Sequence, residues 1–396
     1  MNKSDLNVSL SLNLTVNYYI LTCLFFLIDI VGIIGNLFVI FSVQFDSRMK
    51  RSLTNRLIVH VACCDLIILL LNLPDLIQFV LSRNGNWLLS EFSCKLIRSL
   101  LVFAQYASVL TMCAITIERF FGIVHPLRSK FLGERKHLRY VTFFVWIFSF
   151  ICVSPNFIYL RVISHSSTHR SCSLLYSQNV PDNQRYYIIH KSLESMIFYF
   201  IPLFLQLYCY CRIATKLFYV DQTLQSSLPL NQISNYHRTL EDFDNEIDQE
   251  ENLTSRITRT DSYVHSSINV KSKHLSPKLF SSLNNSQFSI EKKSNEDKFY
   301  QIYSNTLKSR RNIIKMLIVV IVIYFISFSP QVLVFLLFQT NTIRPVPQFI
   351  QTSYFIALTM LLITISSASN PIVYAVFCSK FRQRFHNLLR HFCFWK

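Results

Sequence analysis

Five glycines in 396 residues leave little room for a phosphate-cradling loop, and none of the glycine-rich nucleotide motifs occurs. Charge is scarce too: 15% of the residues are charged and 51% are hydrophobic. There is no His-Glu-x-x-His metal motif, no Gly-x-Ser-x-Gly nucleophile elbow and no inverted repeat. An enzyme working inside the membrane and a transporter are therefore not expected. The leading residues lack a basic start, and the first apolar run is too long for a signal-peptide core, so the first span is expected to act as its own insertion signal. The formal charge of +17 is spread over short connections on one side of the apolar runs rather than gathered in one patch. That is the positive-inside pattern of a membrane protein, and it argues against nucleic acid as a partner.

What the chain does have is apolar runs of about 20 residues or more, enough to cross about 30 Å of hydrocarbon. Residues 1–17 are polar and carry sequons at Asn2, Asn7 and Asn13, which predicts a glycosylated extracellular tail. Residues 18–219 then hold five spans, with Gly35-Asn36 in the first, Asp65 and Pro74-Asp75 in the second, Trp146 and Pro155 in the fourth, and Glu194 and Pro202 in the fifth. Residues 220–305 turn rich in Ser, Asn, Asp and Lys without an apolar period, which predicts a disordered cytoplasmic loop with phosphorylatable sites such as Thr260. Residues 306–377 hold two more spans, with Pro330 in the sixth and Asn370-Pro371-Ile372-Val373-Tyr374 closing the seventh. In residues 378–396, Phe381, Phe385, Leu388, Leu389 and Phe392 recur at helical spacing with Lys and Arg on other faces, which predicts an amphipathic helix on the membrane surface. Cys378 and Cys393 are candidate palmitoylation sites. The fold expected is an all-α membrane protein, a seven-transmembrane helix bundle with a C-terminal amphipathic surface helix.

Three features within the spans point to function. The third span ends on Glu118-Arg119-Phe120, a costly charge pair that belongs near the water boundary; a bare triplet also fits a plain interfacial ion pair. Asp65, at mid-membrane depth, must face the bundle interior and have a partner. Of eleven cysteines, Cys94 and Cys172 are the two that fall on the outer side, which predicts one disulfide.

Taken together, Gly35-Asn36, Asp65, Cys94, Glu118-Arg119-Phe120, Trp146, Cys172, Pro202 with Tyr210, Pro330 and Asn370-Pro371-x-x-Tyr374 resemble the rhodopsin-like (class A) G-protein-coupled receptors, in order and spacing. The resemblance covers every span and leaves out the long loop. It implies a plasma-membrane receptor with its N-terminus outside, acting on a heterotrimeric G protein, with arrestin, receptor kinases and membrane lipid as further partners and no catalytic residues. Glu118 would hold Arg119 at rest, and Phe120, Tyr210, Asn370, Pro371 and Tyr374 would belong to the same switch. Asn36, Asp65, Ser108, Ser367 and Asn370 would frame an allosteric sodium ion held at Asp65; no other cofactor is implied. Val109, Pro202, Tyr324, Phe328 and Pro330 would be the repacking core. This sequence departs from the family in having Phe328 where tryptophan is frequent and Tyr324 where phenylalanine is usual. Arg310 stands where some relatives place an acid against the motif arginine, which implies a less restrained resting state.

For the ligand, Leu101 stands where amine receptors place their aspartate, and Thr364 where opsins place their lysine. Leu73-Pro74-Asp75, Trp87, the two cysteines and Ser367-Ala368-Ser369-Asn370-Pro371 are similar to neuropeptide receptors. The ligand candidates are Asp75 and Glu194 for a basic group, Arg98, Arg185 and Lys191 for an acidic one, Gln105 for a terminal amide, and Leu101. Each charge also fits a solvated rim residue or a local salt bridge. A lipid or other non-amine small molecule is the alternative ligand.

Overall fold

A computed structural model describes residues 3–82, 86–125, 135–164, 170–225, 308–339 and 353–393. Among them, seven helices are long and apolar enough to cross a membrane: Thr22–Gln44, Leu53–Gln78, Glu91–Val124, Arg139–Tyr159, Val180–Phe218, Lys308–Leu337 and Leu358–Phe377, spans one to seven in order. Helices are what an apolar solvent permits, because each backbone N–H and C=O finds its partner within the segment. Span three is the axis. In its most apolar stretch 61% of residues are buried, against 22% in span four and 28% in span one, which present broad faces outward.

The termini of several helices differ from the sequence expectation. The first helix runs back through the polar tail to Lys3; Asn2 and the side chains of Asn7 and Asn13 lie outside the described residues. Span three starts earlier than expected, at Glu91, because the Ser90 side chain accepts the Ser93 N–H and caps the helix. The connection after span four holds an antiparallel hairpin, β1 (Leu160–Ser164) with β2 (Arg170–Leu174), in which Val162 faces Cys172. Strands of five residues carry too short a period to be separated from loop in the sequence. The helix of span five begins at Val180, with Pro181 at its first turn, and runs on to Gln225. The rest of the long loop, Thr260 included, lies outside the described residues.

Prolines shape the interior in a way that names their partners. Pro202 cannot donate to the carbonyl four residues back, Phe198. There the helix widens into a π turn, Met196–Phe200, and the Tyr324 hydroxyl of span six donates to that carbonyl at 3.4 Å. Pro371 likewise frees the Ser367 carbonyl, which accepts Asn36 Nδ2 of span one at 3.1 Å. Pro155 frees Ile151, whose carbonyl accepts the Ser154 hydroxyl at 2.8 Å. At these three prolines side chains restore what was removed. Gly35 is required by the same contact: a Cβ there would lie 2.9 Å from Pro371 Cβ.

After a break at Cys378 the chain forms a last helix, Ser379–Cys393. Phe381 is buried against Tyr374, Phe385 meets Phe38 edge-on at 5.4 Å, and Arg384 pairs with Asp46 of the first connection. The side chains of Leu388, Leu389, Phe392 and Cys393 lie outside the described residues, and Cys378 is a free, half-buried thiol.

Candidate functional site

The functional residues fall into two groups at opposite ends of the bundle, joined by a polar and aromatic core. At the end that bears the disulfide, Cys94 at the start of span three is bonded to Cys172 of β2, with Cα atoms 5.8 Å apart. The bond pins the hairpin over the mouth of the helices. Trp87 is held in the same cap: its backbone N–H donates to the Arg170 carbonyl and its indole to the Ser90 carbonyl.

Beneath Trp87 lies an ion pair. Arg98 of span three reaches Asp75 of span two at 3.1 Å, and its guanidinium sits 5.7 Å from the Trp87 ring centroid. The Asp75 side chain is almost wholly enclosed, whereas Arg98 keeps about a third of its surface, 35%, exposed. Pro74, inside the helix, immediately precedes Asp75, and Gln78 donates to the Pro74 carbonyl and accepts from Leu88 N–H. Across the mouth, Lys191 and Glu194 pair within span five at 2.6 Å, and Tyr106 of span three lies near the Glu194 carboxylate. The Tyr176 hydroxyl, after the hairpin, meets His190 Nδ1 at 2.7 Å; burial and then the Glu194 charge push its phenol above the ordinary range. Four of the candidate ligand residues are therefore paired with one another, Asp75 with Arg98 and Lys191 with Glu194. Gln105 is half-buried, Arg185 is exposed, and Leu101 is packed with Ile68 and Ala104 in an apolar cluster.

In the middle, Asp65 accepts Asn370 Nδ2 at 2.7 Å, and Ser367 lies nearby. Asn36, Asp65, Ser108, Ser367 and Asn370 are all buried. A carboxylate amid hydroxyl and amide oxygens suits one hard monovalent cation, so these residues fit the sodium ion that the family implies. Above this layer the Tyr106 and Phe198 rings stack at 3.6 Å, Phe328 tilts against Tyr324 at 4.5 Å, and Val109 is fully buried in the same cluster.

At the other end Arg119 is held by Glu118 through two parallel bonds, Nε to Oε2 at 2.9 Å and Nη2 to Oε1 at 3.0 Å. Both side chains are mostly buried. Thr54, at the start of span two, donates its hydroxyl to the same Oε2 at 2.9 Å. Tyr210 is buried with its hydroxyl 3.4 Å from the Thr116 hydroxyl, and Tyr374 is buried on Phe381. Phe120 packs against Tyr208.

Thr54, Phe198 and the Tyr199–Ser329 hydroxyl bond across spans five and six, 2.6 Å, were not singled out in the sequence. A threonine after a basic loop and a phenylalanine in an apolar run carry no local mark of partners dozens of residues away.

A helical membrane bundle with a disulfide-tied cap, an ion pair beneath it and a clamped arginine at the far end has the layout of a signalling receptor. Known proteins agree with that layout. The family model described as 7 transmembrane receptor (rhodopsin family) matches residues 35–374, and the chain belongs to this family. Its members are receptors that signal through G proteins and are not enzymes. Among its relatives are neuropeptide receptor 15 of Caenorhabditis elegans, 27% identical over 93% of this chain and 89% of that protein, and the thyrotropin-releasing hormone receptor of Homo sapiens, 26% identical over 94% and 78%. A purinoceptor of Mus musculus is 28% identical but over only 52% of this chain and 53% of its own.

Proposed function

We propose that this chain is a plasma-membrane receptor for a neuropeptide, with its N-terminus outside, and that peptide binding at the Trp87 end drives nucleotide exchange on a heterotrimeric G protein at the Arg119 end. The observation that carries the peptide reading is the pair of ion pairs on opposite walls of one mouth, Asp75–Arg98 and Lys191–Glu194. Charges of both signs on both walls suit a ligand with several polar groups spread along its length. A single ammonium would need one carboxylate in span three, where Leu101 stands. The two relatives aligned over most of their length bear the names of peptide receptors, which supports the same reading.

A peptide that engages Arg98 or Glu194 competes with their present partners and pulls on spans two, three and five. Glu194 lies near Tyr106, and Tyr106 stacks on Phe198, whose carbonyl holds Tyr324. The mouth is thereby connected to span six through Tyr106 and Phe198. Repacking there frees Arg119 from Glu118 for the G protein, with Tyr210 and Tyr374 turning toward it. A sodium ion at Asp65 would favour the resting arrangement, since it offsets the buried charge there. Arrestin and receptor kinases would act on the same cytoplasmic face, and the last helix would lie on the lipid, anchored through Cys378 and Cys393.

The test is a calcium readout in cells carrying the chain and a promiscuous Gα subunit, challenged with pooled neuropeptides and, separately, pooled lipids. A saturable response to one peptide is expected. A saturable response confined to a lipid would overturn the peptide reading and leave the receptor family untouched.

A further inference from the structure

Span one carries a carboxylate that none of the roles above uses. Asp29 is wholly buried, and neither of its oxygens has a hydrogen-bond partner among the described residues. It lies on the stripe Phe25, Asp29, Gly32, Asn36, Val39 and Val43, all inward at helical spacing. The depth and neighbours of that stripe are fixed at Gly32, where a Cβ would lie 2.7 Å from Ala368 Cβ of span seven and 2.9 Å from Leu69 Cδ1 of span two.

One helical turn from this contact toward the disulfide-bearing end, the same three faces present Asp29, Asn72 (after Leu69) and Thr364 (before Ala368). Asn72 and Thr364 are buried as well. Asn72 Nδ2 donates to Thr364 Oγ1 at 3.3 Å, and that hydroxyl donates to the Met360 carbonyl at 3.0 Å. The Asn72 donor is thus engaged on Thr364, and its amide oxygen is an acceptor at the level of the carboxylate. The layer lies about 10 Å from Asp65, seven residues along span two at 1.5 Å each, so the two carboxylates do not share a site.

An ionised carboxylate with no counter-charge is among the costliest groups to enclose. The cations at this end of span three, Lys95 and Arg98, are taken by Glu91 and Asp75. A divalent or transition metal needs several anionic or imidazole ligands, and no group of three or more His, Cys, Asp and Glu side chains gathers among the described residues. An enclosed position shuts out a peptide side chain or an amine. One carboxylate, one amide oxygen and one hydroxyl match a single hard monovalent cation. We propose that Asp29, Asn72 and Thr364 form a sodium site between spans one, two and seven, separate from the one at Asp65. Sodium there ties span one to span seven and stabilises their packing.

The test is thermal unfolding of the purified full-length receptor in sodium chloride and in N-methyl-D-glucamine chloride, at equal ionic strength and fixed pH. It is done in an Asp65→Asn background, so that it does not depend on the Asp65 reading. Asp65→Asn is expected to keep a sodium-specific rise in Tm, and Asp65→Asn with Asp29→Asn to lose it while gaining Tm in the organic cation, because the neutral amide needs no counter-charge. A sodium-specific rise that disappears with Asp65→Asn alone, or survives in the double variant, overturns the proposal. Thr364→Val, which keeps shape and removes one oxygen, provides the same decision should Asp29→Asn not express. It is expected to raise the sodium midpoint by about tenfold, and an unchanged midpoint overturns the proposal.

Discussion

Replacing Glu118 by Gln keeps the shape of the side chain and removes the charge that clamps Arg119. The clamp consists of two charge-assisted bonds of 2.9 and 3.0 Å between side chains only 7% and 13% exposed, so water screens it weakly. Hydrogen bonds to charged groups contribute about 1.5–3 kcal/mol each. With one of the two replaced by a neutral bond, the resting state loses about 2 kcal/mol, and each 1.4 kcal/mol is tenfold in an equilibrium. An unliganded receptor that is active about 1% of the time then becomes active roughly a quarter of the time. Thr54→Val removes one hydroxyl bond to the same carboxylate, about 1 kcal/mol, and raises the active share about fivefold. The two changes act on one carboxylate, so the double variant should resemble Glu118→Gln rather than show the product. The assay is binding of a non-hydrolysable GTP analogue to membranes without added peptide, at matched surface receptor. Wild-type basal exchange in Glu118→Gln, or greater exchange in Thr54→Val than in Glu118→Gln, would refute the clamp.

Other consequences follow from the same structure. Cys94→Ser or Cys172→Ser opens a loop of 78 residues, which removes about 4 kcal/mol of chain-entropy stabilisation, and surface expression measured by flow cytometry should fall sharply. Gly35→Val drives a side chain into Pro371, so melting of the purified receptor should drop by an amount worth about 1–3 kcal/mol. Tyr324→Phe strips the donor from the Phe198 carbonyl that Pro202 leaves bare, and should shift peptide potency about fivefold, read in a dose–response curve. Asp75→Asn leaves Arg98 without its counter-charge and should weaken peptide potency; unchanged potency would remove that pair from the site.

Much of this architecture was legible in the sequence because the membrane imposes length. A run such as Leu53–Gln78 has few alternatives in hydrocarbon, and Asp65 within it must face inward and find a partner, as it does in Asn370. Cys94 and Cys172 could be paired for a similar reason, being the two cysteines that the pattern of spans and basic connections assigns to the outer side, and they are bonded. What the sequence hid were pairings between distant residues. The identity of a ligand candidate says nothing of whether its charge is already spent, and Asp75, Arg98, Lys191 and Glu194 turn out to be paired internally. The hairpin at Leu160–Ser164 was hidden because five-residue strands leave too short a period to separate from loop. Tyr324 showed in the sequence only as a departure from the family. Its hydroxyl gains a reason once Pro202 is seen to free the Phe198 carbonyl one span away.

The central claim is that Arg119 transmits to a G protein what is bound at the Trp87 end. The most direct measurement is nucleotide exchange by purified heterotrimer on receptor in lipid nanodiscs, with saturable peptide binding recorded on the same preparation, for wild type and Arg119→Ala. The account predicts unchanged peptide binding and loss of peptide-stimulated exchange in the variant. Full exchange by Arg119→Ala, at undiminished peptide occupancy, would contradict it.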